Sequence, residues 1–226
     1  MAAMALPRTS IGKKAVMAIT GLIWVGYVFL HMYGNTKVFF GRDYFNAYAE
    51  GLRTLGAPIF GHLHLLIIAR IVLVVSVVLH VWAALTLTRQ AQVARPTGYK
   101  VVKRVKADYA SLTMRYGGVA IFFFLLYHLA HLTWGAPGIN SDFIRGDAYH
   151  NLVLGFQNPI NVILYLIALV ALGLHLYHGV WSMFQTLGLN SHEVTPAIRA
   201  LAWFLALVVP IGFATVPIAV ILGIVA

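Results

Sequence analysis

Five long apolar stretches constrain the fold of this chain more than any other feature. A helix that crosses the hydrocarbon layer of a membrane needs about 20 predominantly apolar residues, and each stretch has that length. The sequence therefore predicts an all-α polytopic membrane protein with five transmembrane helices. The predicted spans are about residues 15–36, 60–87, 116–135, 159–185 and 201–225.

The composition agrees with that class and excludes others. The chain is 61% hydrophobic and 10% charged, whereas charged residues make up about a quarter of a soluble domain. No repeat or linker divides it, so we expect residues 1–226 to form a single membrane domain. Cysteine is absent, which excludes disulfides, thiolate metal sites and iron–sulfur ligation by this chain. The 10 histidines are then the candidate metal ligands.

The basic residues predict the orientation of the chain in the membrane. The formal net charge is +10, but the lysines and arginines lie in short loops between apolar stretches. Topology and membrane lipids explain them better than a nucleic-acid partner. Most of them fall in the N-terminal arm, in the 89–115 region and at Arg199. The positive-inside rule therefore places the N-terminus in the cytoplasm and the C-terminus outside.

Histidines on four of the predicted spans sort into two depths. His31 and His128 lie about 25 and 20 Å from the cytoplasmic edge of the membrane, whereas His80 and His175 lie about 14 and 15 Å from it. A single histidine in a span more often bonds a neighbouring carbonyl. Two histidines at each of two depths are what bis-histidine ligation of two stacked haems requires, because an apolar bundle supplies a low dielectric and each neutral imidazole supplies one axial bond.

The fourth span carries a second histidine, His178, on roughly the same face as His175. Its depth of about 10 Å agrees less well with the depth of His80. Gly179, four residues after His175, would let a flat macrocycle or a neighbouring helix come close. We therefore expect His175 to be the ligand and His178 to contact a haem propionate or a quinone.

Charged and polar residues near these histidines each have two interpretations. Arg70, inside the second span, either snorkels to the outer headgroups or pairs with a propionate of the outer haem. Ser111 and Arg115 lie at the start of the third span. Either they contact the propionates of the inner haem, or Arg115 anchors the helix at the membrane surface. Glu50 lies in a short segment expected to be an interfacial helix, and it either transfers protons to an outer-side quinone or is merely solvated. The spare His131 is expected to bond propionates, carbonyls or water.

Several motifs, in their order and spacing, resemble one family over essentially the whole chain. They are residues 10–21 leading to His31-Met-Tyr-Gly34-Asn35, residues 45–53, Leu79-His80, Arg115 followed thirteen residues later by His128, and residues 175–182. The chain resembles the dihaem cytochrome b membrane-anchor subunits of succinate dehydrogenases and fumarate reductases. Within that family it is similar to the branch with five helices and two b haems in one polypeptide.

The resemblance implies a set of roles and partners. His31 and His128 would hold the distal haem, His80 and His175 the proximal haem, and Glu50 would lie near the distal quinone pocket. Electrons would pass between an iron–sulfur subunit and a quinone, often menaquinone, at the cytoplasmic membrane of a prokaryote. A flavoprotein subunit and the iron–sulfur subunit would dock on the cytoplasmic side, and FAD, iron–sulfur clusters and succinate chemistry would belong to them. The complex is a candidate for a higher oligomer.

Two other interpretations remain open. One is the dihaem anchor of another respiratory oxidoreductase, such as a formate dehydrogenase or a hydrogenase. The order of the histidines and the arm at residues 10–14 favour the succinate dehydrogenase family over it. The other is a haem-free transporter with a histidine proton relay, which would be colourless when purified.

Overall fold

The computed structural model describes residues 9–94 and 109–226, with the backbone alone over residues 109–113. These residues form seven α-helices and no β-strand. The helices are α1 (Ser10–Thr36), α2 (Arg42–Arg53), α3 (His64–Val93), α4 (Tyr109–Leu129), α5 (Ala148–Gln157), α6 (Pro159–Thr186) and α7 (Thr195–Ile221).

Five segments are long and apolar enough to cross a membrane, which confirms the prediction of an all-α polytopic membrane protein. They are Ser10–Phe40, His64–Val93, Met114–Trp134, Pro159–Thr186 and Thr195–Ile221. Four helices extend beyond the predicted spans. The helix α1 includes Lys13 and Lys14, α3 continues past Arg89, and α4 and α7 begin at Tyr109 and Thr195. Lysine and arginine favour helix and keep their charged ends in water while their stems cover apolar surface. A helix therefore does not have to end where the apolar stretch ends.

Local signals set several helix ends. Thr9, Asp147 and Asn158 precede α1, α5 and α6, and each side chain accepts a hydrogen bond from a backbone N–H in the first turn. N-cap residues satisfy the free amides of a helix in this way. Leu63 has a left-handed backbone with φ of 70°, so α3 begins at His64, later than the predicted start of the second span.

The helix α6 is the centre of the packing. It contacts α7 most extensively and also packs against α4 and α1, while α1 additionally contacts α3 and α7. A Cβ atom on Gly212 of α7 would lie 2.4 Å from Sδ of Met32 on α1, so the Met32 side chain would have to shift to admit a larger residue there. Ile71, Val74 and Val78 of α3 are more than half exposed. An apolar exposed surface of this kind is expected where a helix faces lipid.

The short helix α2 is tied to the start of α5. Arg42 forms an ion pair with Asp147, and the side-chain amide of Asn46 donates to the same carboxylate at 2.9 Å. Burial raises the pKa of Asp147, but the hydrogen bonds from Asn46, the His150 N–H and Arg42 outweigh it and hold the pKa at about 2. Asp147 therefore stays ionised and holds the two short helices together.

Candidate functional site

Four histidines from four helices meet as two pairs. The ring centroids of His31 on α1 and His128 on α4 are 5.9 Å apart, with the ring planes at 78°. Those of His80 on α3 and His175 on α6 are 6.3 Å apart, with the planes at 56°. The structure thus brings together the same two pairs that depth along the helices selects. We call them the His31 layer (His31 and His128) and the His80 layer (His80 and His175).

Each pair lies between helices that are otherwise separate. Over the described residues, neither α1 and α4 nor α3 and α6 pack extensively against each other. The imidazole pairs therefore bridge helices whose backbones lie apart. Histidine at the depth of the hydrocarbon layer is costly and usually has a specific partner or function.

Two glycines lie beside the rings of the His80 layer. A Cβ atom on Gly21 of α1 would be 3.5 Å from Cε1 of His80, and one on Gly118 of α4 would be 3.6 Å from Cε1 of His175. Each imidazole is thus in contact distance of a neighbouring backbone that carries no side chain. This layer is built from all four of α1, α3, α4 and α6.

The ring nitrogens of the four layer histidines differ in their hydrogen-bond partners. Nδ1 of His80 is 3.1 Å from the Thr20 hydroxyl, and Nδ1 of His128 is 3.1 Å from the Tyr165 hydroxyl. Nδ1 of His175 is buried without a hydrogen-bond partner among the described residues. Nδ2 of Asn35 stands 3.5 Å from both ring nitrogens of His31, which is too long for a good hydrogen bond. Each layer therefore has one imidazole with a hydroxyl partner at Nδ1.

His131 is held by protein groups at both ring nitrogens. It is 0% exposed, and Nδ1 lies 2.9 Å from the Tyr165 hydroxyl while Nε2 lies 3.2 Å from Nδ2 of Asn161. Asn161 also donates to the Gly155 carbonyl at 2.7 Å and accepts from the Tyr127 hydroxyl at 2.6 Å. Side chains of Tyr165 and Asn161 are therefore its partners, in place of the propionate, carbonyl or water expected from the sequence.

Thr20, Asn161 and Tyr165 are the polar partners that sequence reasoning missed. A signal was present on α6, where Asn161 and Tyr165 stand four residues apart and so share one face of an apolar helix. Tyr127 at the end of α4 and His131 in the helical turn that follows it (Ala130–Trp134) have the same spacing. Two polar residues one turn apart on each of two apolar helices favour contact between those faces.

Three other predicted residues, Arg70, Arg115 and His178, make no hydrogen bond or ion pair with another described residue. Arg70 of α3 and Arg115 of α4 are exposed, and His178 is half-buried one turn after His175. A Cβ atom on Gly179 would be 3.7 Å from Met114 of α4, so a neighbouring helix occupies the space beside that glycine. The side chain of Ser111 lies outside the described part of the chain.

Glu50 is part of a charged cluster on α2. Its carboxylate accepts hydrogen bonds from Nη1 of Arg53 at 2.9 Å and faces Nε2 of His62 at 3.2 Å. Hydrogen bonds from His62 and Arg53 hold the pKa of Glu50 below its usual range. Its side chain is 55% exposed, so Glu50 is an ionised, water-accessible carboxylate with a histidine beside it.

Comparison with protein families gives one match. A family described as "Succinate dehydrogenase/Fumarate reductase transmembrane subunit" matches residues 94–214, just over half of the chain. The matched region contains α4, α5, α6 and most of α7, and with them His128 and His175, whereas His31 and His80 lie before it. Comparisons with curated proteins and with solved structures each gave no significant match.

Proposed function

Because the chain belongs to the family of succinate dehydrogenase/fumarate reductase transmembrane subunits, we propose that it is a dihaem anchor of such a complex. It holds a flavoprotein subunit and an iron–sulfur subunit at the membrane and passes electrons between the iron–sulfur subunit and a quinone, with menaquinone as the proposed species. FAD, iron–sulfur clusters and the chemistry of succinate belong to the partner subunits.

The spacing of the paired imidazoles is the observation that carries the haem proposal. When two imidazoles bind one metal from opposite sides, each metal–nitrogen bond is about 2.0–2.1 Å and each centroid lies roughly 1 Å behind its nitrogen, so the centroids are about 6.3 Å apart. The separations of 5.9 and 6.3 Å fit that requirement in both layers. A b haem bound in each layer would supply one-electron transfer.

The proposed ligands follow from the two pairs. His31 and His128 hold the distal haem, and His80 and His175 hold the proximal haem. The pairing of His175 with His80 supports it as the ligand over His178. Along α1 the His31 layer lies about ten residues, or roughly 15 Å, from the Thr20–Gly21 contact with His80, which supports two stacked groups in place of one shared site.

The orientation and the remaining sites complete the proposal. The excess of lysine and arginine at the N-terminal arm and in the second loop supports a cytoplasmic N-terminus, an external C-terminus and docking of the partners on the cytoplasmic side. Arg70, Arg115, Ser111 and His178 are proposed contacts for propionates or quinone. Glu50 is the proposed proton-transfer residue, and Nε2 of His62 lies 3.2 Å from its carboxylate.

Haem content per chain tests the proposal most directly. The complex is purified in mild detergent, and its haem is quantified by the pyridine haemochrome method against the amount of this chain. We expect two b haems per chain, together with flavin and iron–sulfur signals from two co-purified subunits. A stoichiometry of one or zero, or purification of this chain alone, would contradict the proposal. A colourless preparation would favour the haem-free transporter.

A further inference from the structure

Thr20 is a buried hydroxyl at the contact between α1 and the ring of His80. It is 5% exposed, and its Oγ1 donates to the Val16 carbonyl at 2.7 Å, with the Met17 carbonyl at 3.2 Å. Such a bond back to the preceding turn is common for threonine in an apolar helix. The same oxygen also lies 3.1 Å from Nδ1 of His80, sixty residues away in the chain.

The groups of α1 around the Thr20 hydroxyl favour one tautomer of His80. A hydroxyl has one proton to donate, and the Val16 and Met17 carbonyls within reach of Oγ1 can only accept it. The Met17 carbonyl is also an acceptor for the ring of His80. If Nδ1 were unprotonated while the hydroxyl bonds Val16, two buried acceptors would face each other without a proton between them, which is costly. A bond from the Nδ1–H of His80 to Oγ1 of Thr20 avoids that cost and leaves Nε2 of the neutral ring bare.

We propose that Thr20 is a positioning residue, whose hydroxyl oxygen selects the Nδ1–H tautomer of His80 and fixes its ring so that Nε2 is free to bind the proximal haem iron. This inference rests on the proposed function, because it concerns the haem-binding role of His80. Gly21 contributes by letting the ring lie close to the backbone of α1, with Cε1 at 3.5 Å from the position of a Cβ atom. Ligand histidines generally donate their second N–H to such a partner, which orients the ring and raises its basicity.

The other three layer histidines lack this arrangement. Nδ1 of His175 has no partner among the described residues. In the His80 layer, His80 is therefore the ring that a side-chain hydroxyl orients, and that hydroxyl belongs to Thr20. In the His31 layer, the Tyr165 hydroxyl stands between Nδ1 of His128 and Nδ1 of His131 at 3.1 and 2.9 Å. The Tyr165 hydroxyl has no carbonyl partner in the described part of the chain and can donate its proton to either ring. The contacts of Tyr165 therefore do not select one tautomer of His128.

A hydroxyl deletion with a rescue variant tests the inference on the purified complex. Thr20→Val removes the hydroxyl and keeps a branched side chain of similar shape, whereas Thr20→Ser keeps the hydroxyl and removes the methyl group. Thr86→Val is the matched control, because the Thr86 hydroxyl makes the same back-bond, to the Trp82 carbonyl at 2.8 Å, and has no hydrogen bond to a histidine among the described residues. Haem loss to excess apomyoglobin, the potential of each haem and the low-spin EPR spectrum are measured.

We expect Thr20→Val to lose one of its two haems about 10–100-fold faster, the usual effect of removing a partner behind a metal ligand. The potential and EPR signal of that haem alone should shift, and Thr20→Ser and Thr86→Val should behave as wild type. If the wild type holds two haems and His80→Ala holds one, yet Thr20→Val retains both with unchanged spectra, the positioning role is refuted. If the wild type lacks two haems, or His80→Ala keeps both, the proposed function fails and the role of Thr20 falls with it.

Discussion

Replacing Gly155 by alanine tests how tightly the ring of His131 is held. A Cβ atom at this position of α5 would lie 2.4 Å from Nε2 and 2.8 Å from Cε1 of that ring. The ring cannot swing aside freely, because it is fully buried and has partners at both nitrogens, Tyr165 and Asn161. The substitution must therefore break those contacts or move α5 away from α4 and α6.

The size of the effect follows from the contacts that are lost. Two hydrogen bonds contribute about 1–3 kcal/mol together, and overpacking a buried site costs about 1–3 kcal/mol. Alanine recovers about 1 kcal/mol because it favours helix more than glycine does. The net destabilisation is about 1–5 kcal/mol, which for a chain of this size lowers the melting temperature by roughly 2–20 °C.

Thermal unfolding of the purified complex in detergent, followed by circular dichroism and by the haem α-band, measures this effect. Gly26→Ala on α1 is the control, because a Cβ atom there meets no atom within 4 Å, and it should melt at or slightly above the wild-type temperature. Since Tyr165 also bonds His128, the spectrum of the distal haem should change first. If Gly155→Ala melted like Gly26→Ala, the ring of His131 would not be held as the structure indicates.

Three further predictions concern single residues. His175→Ala should leave one haem per chain by pyridine haemochrome and His178→Ala should leave two, and the opposite pattern would assign the ligand to His178. Glu50→Gln should slow quinone-linked turnover several-fold while succinate oxidation with an artificial acceptor is unchanged, whereas unaltered quinone-linked activity would make Glu50 a solvated carboxylate. Asp147, with a pKa of about 2 against an ordinary value near 4, stabilises the fold above about pH 4 and loses that contribution as the pH falls toward 2. Asp147→Asn should therefore lower the melting temperature more at pH 7 than at pH 2.5, and an equal loss at both would refute the charge effect.

The sequence by itself determined the class of the protein and the positions of its spans. Both depend on local properties: a span needs about 20 apolar residues, and a helix advances about 1.5 Å per residue whatever it packs against. For the same reason the depths of His31, His80, His128 and His175 could be read along single helices. The short helix α2 was also predictable, because Phe45 and its charged neighbours alternate at helical spacing.

Only the tertiary structure decided which side chains face one another. The helices α3 and α4 are apolar on all sides, so no periodic pattern defines the rotation of either helix about its axis. The contact of Thr20 with His80 and the contacts of His131 with Tyr165 and Asn161 depend on that rotation. Each joins helices that are distant in the chain, and burial leaves every polar group only the partners that packing brings within reach. The proposed tautomer of His80 therefore depends on how α1 packs against α3, and it could not be predicted from the sequence of either helix alone.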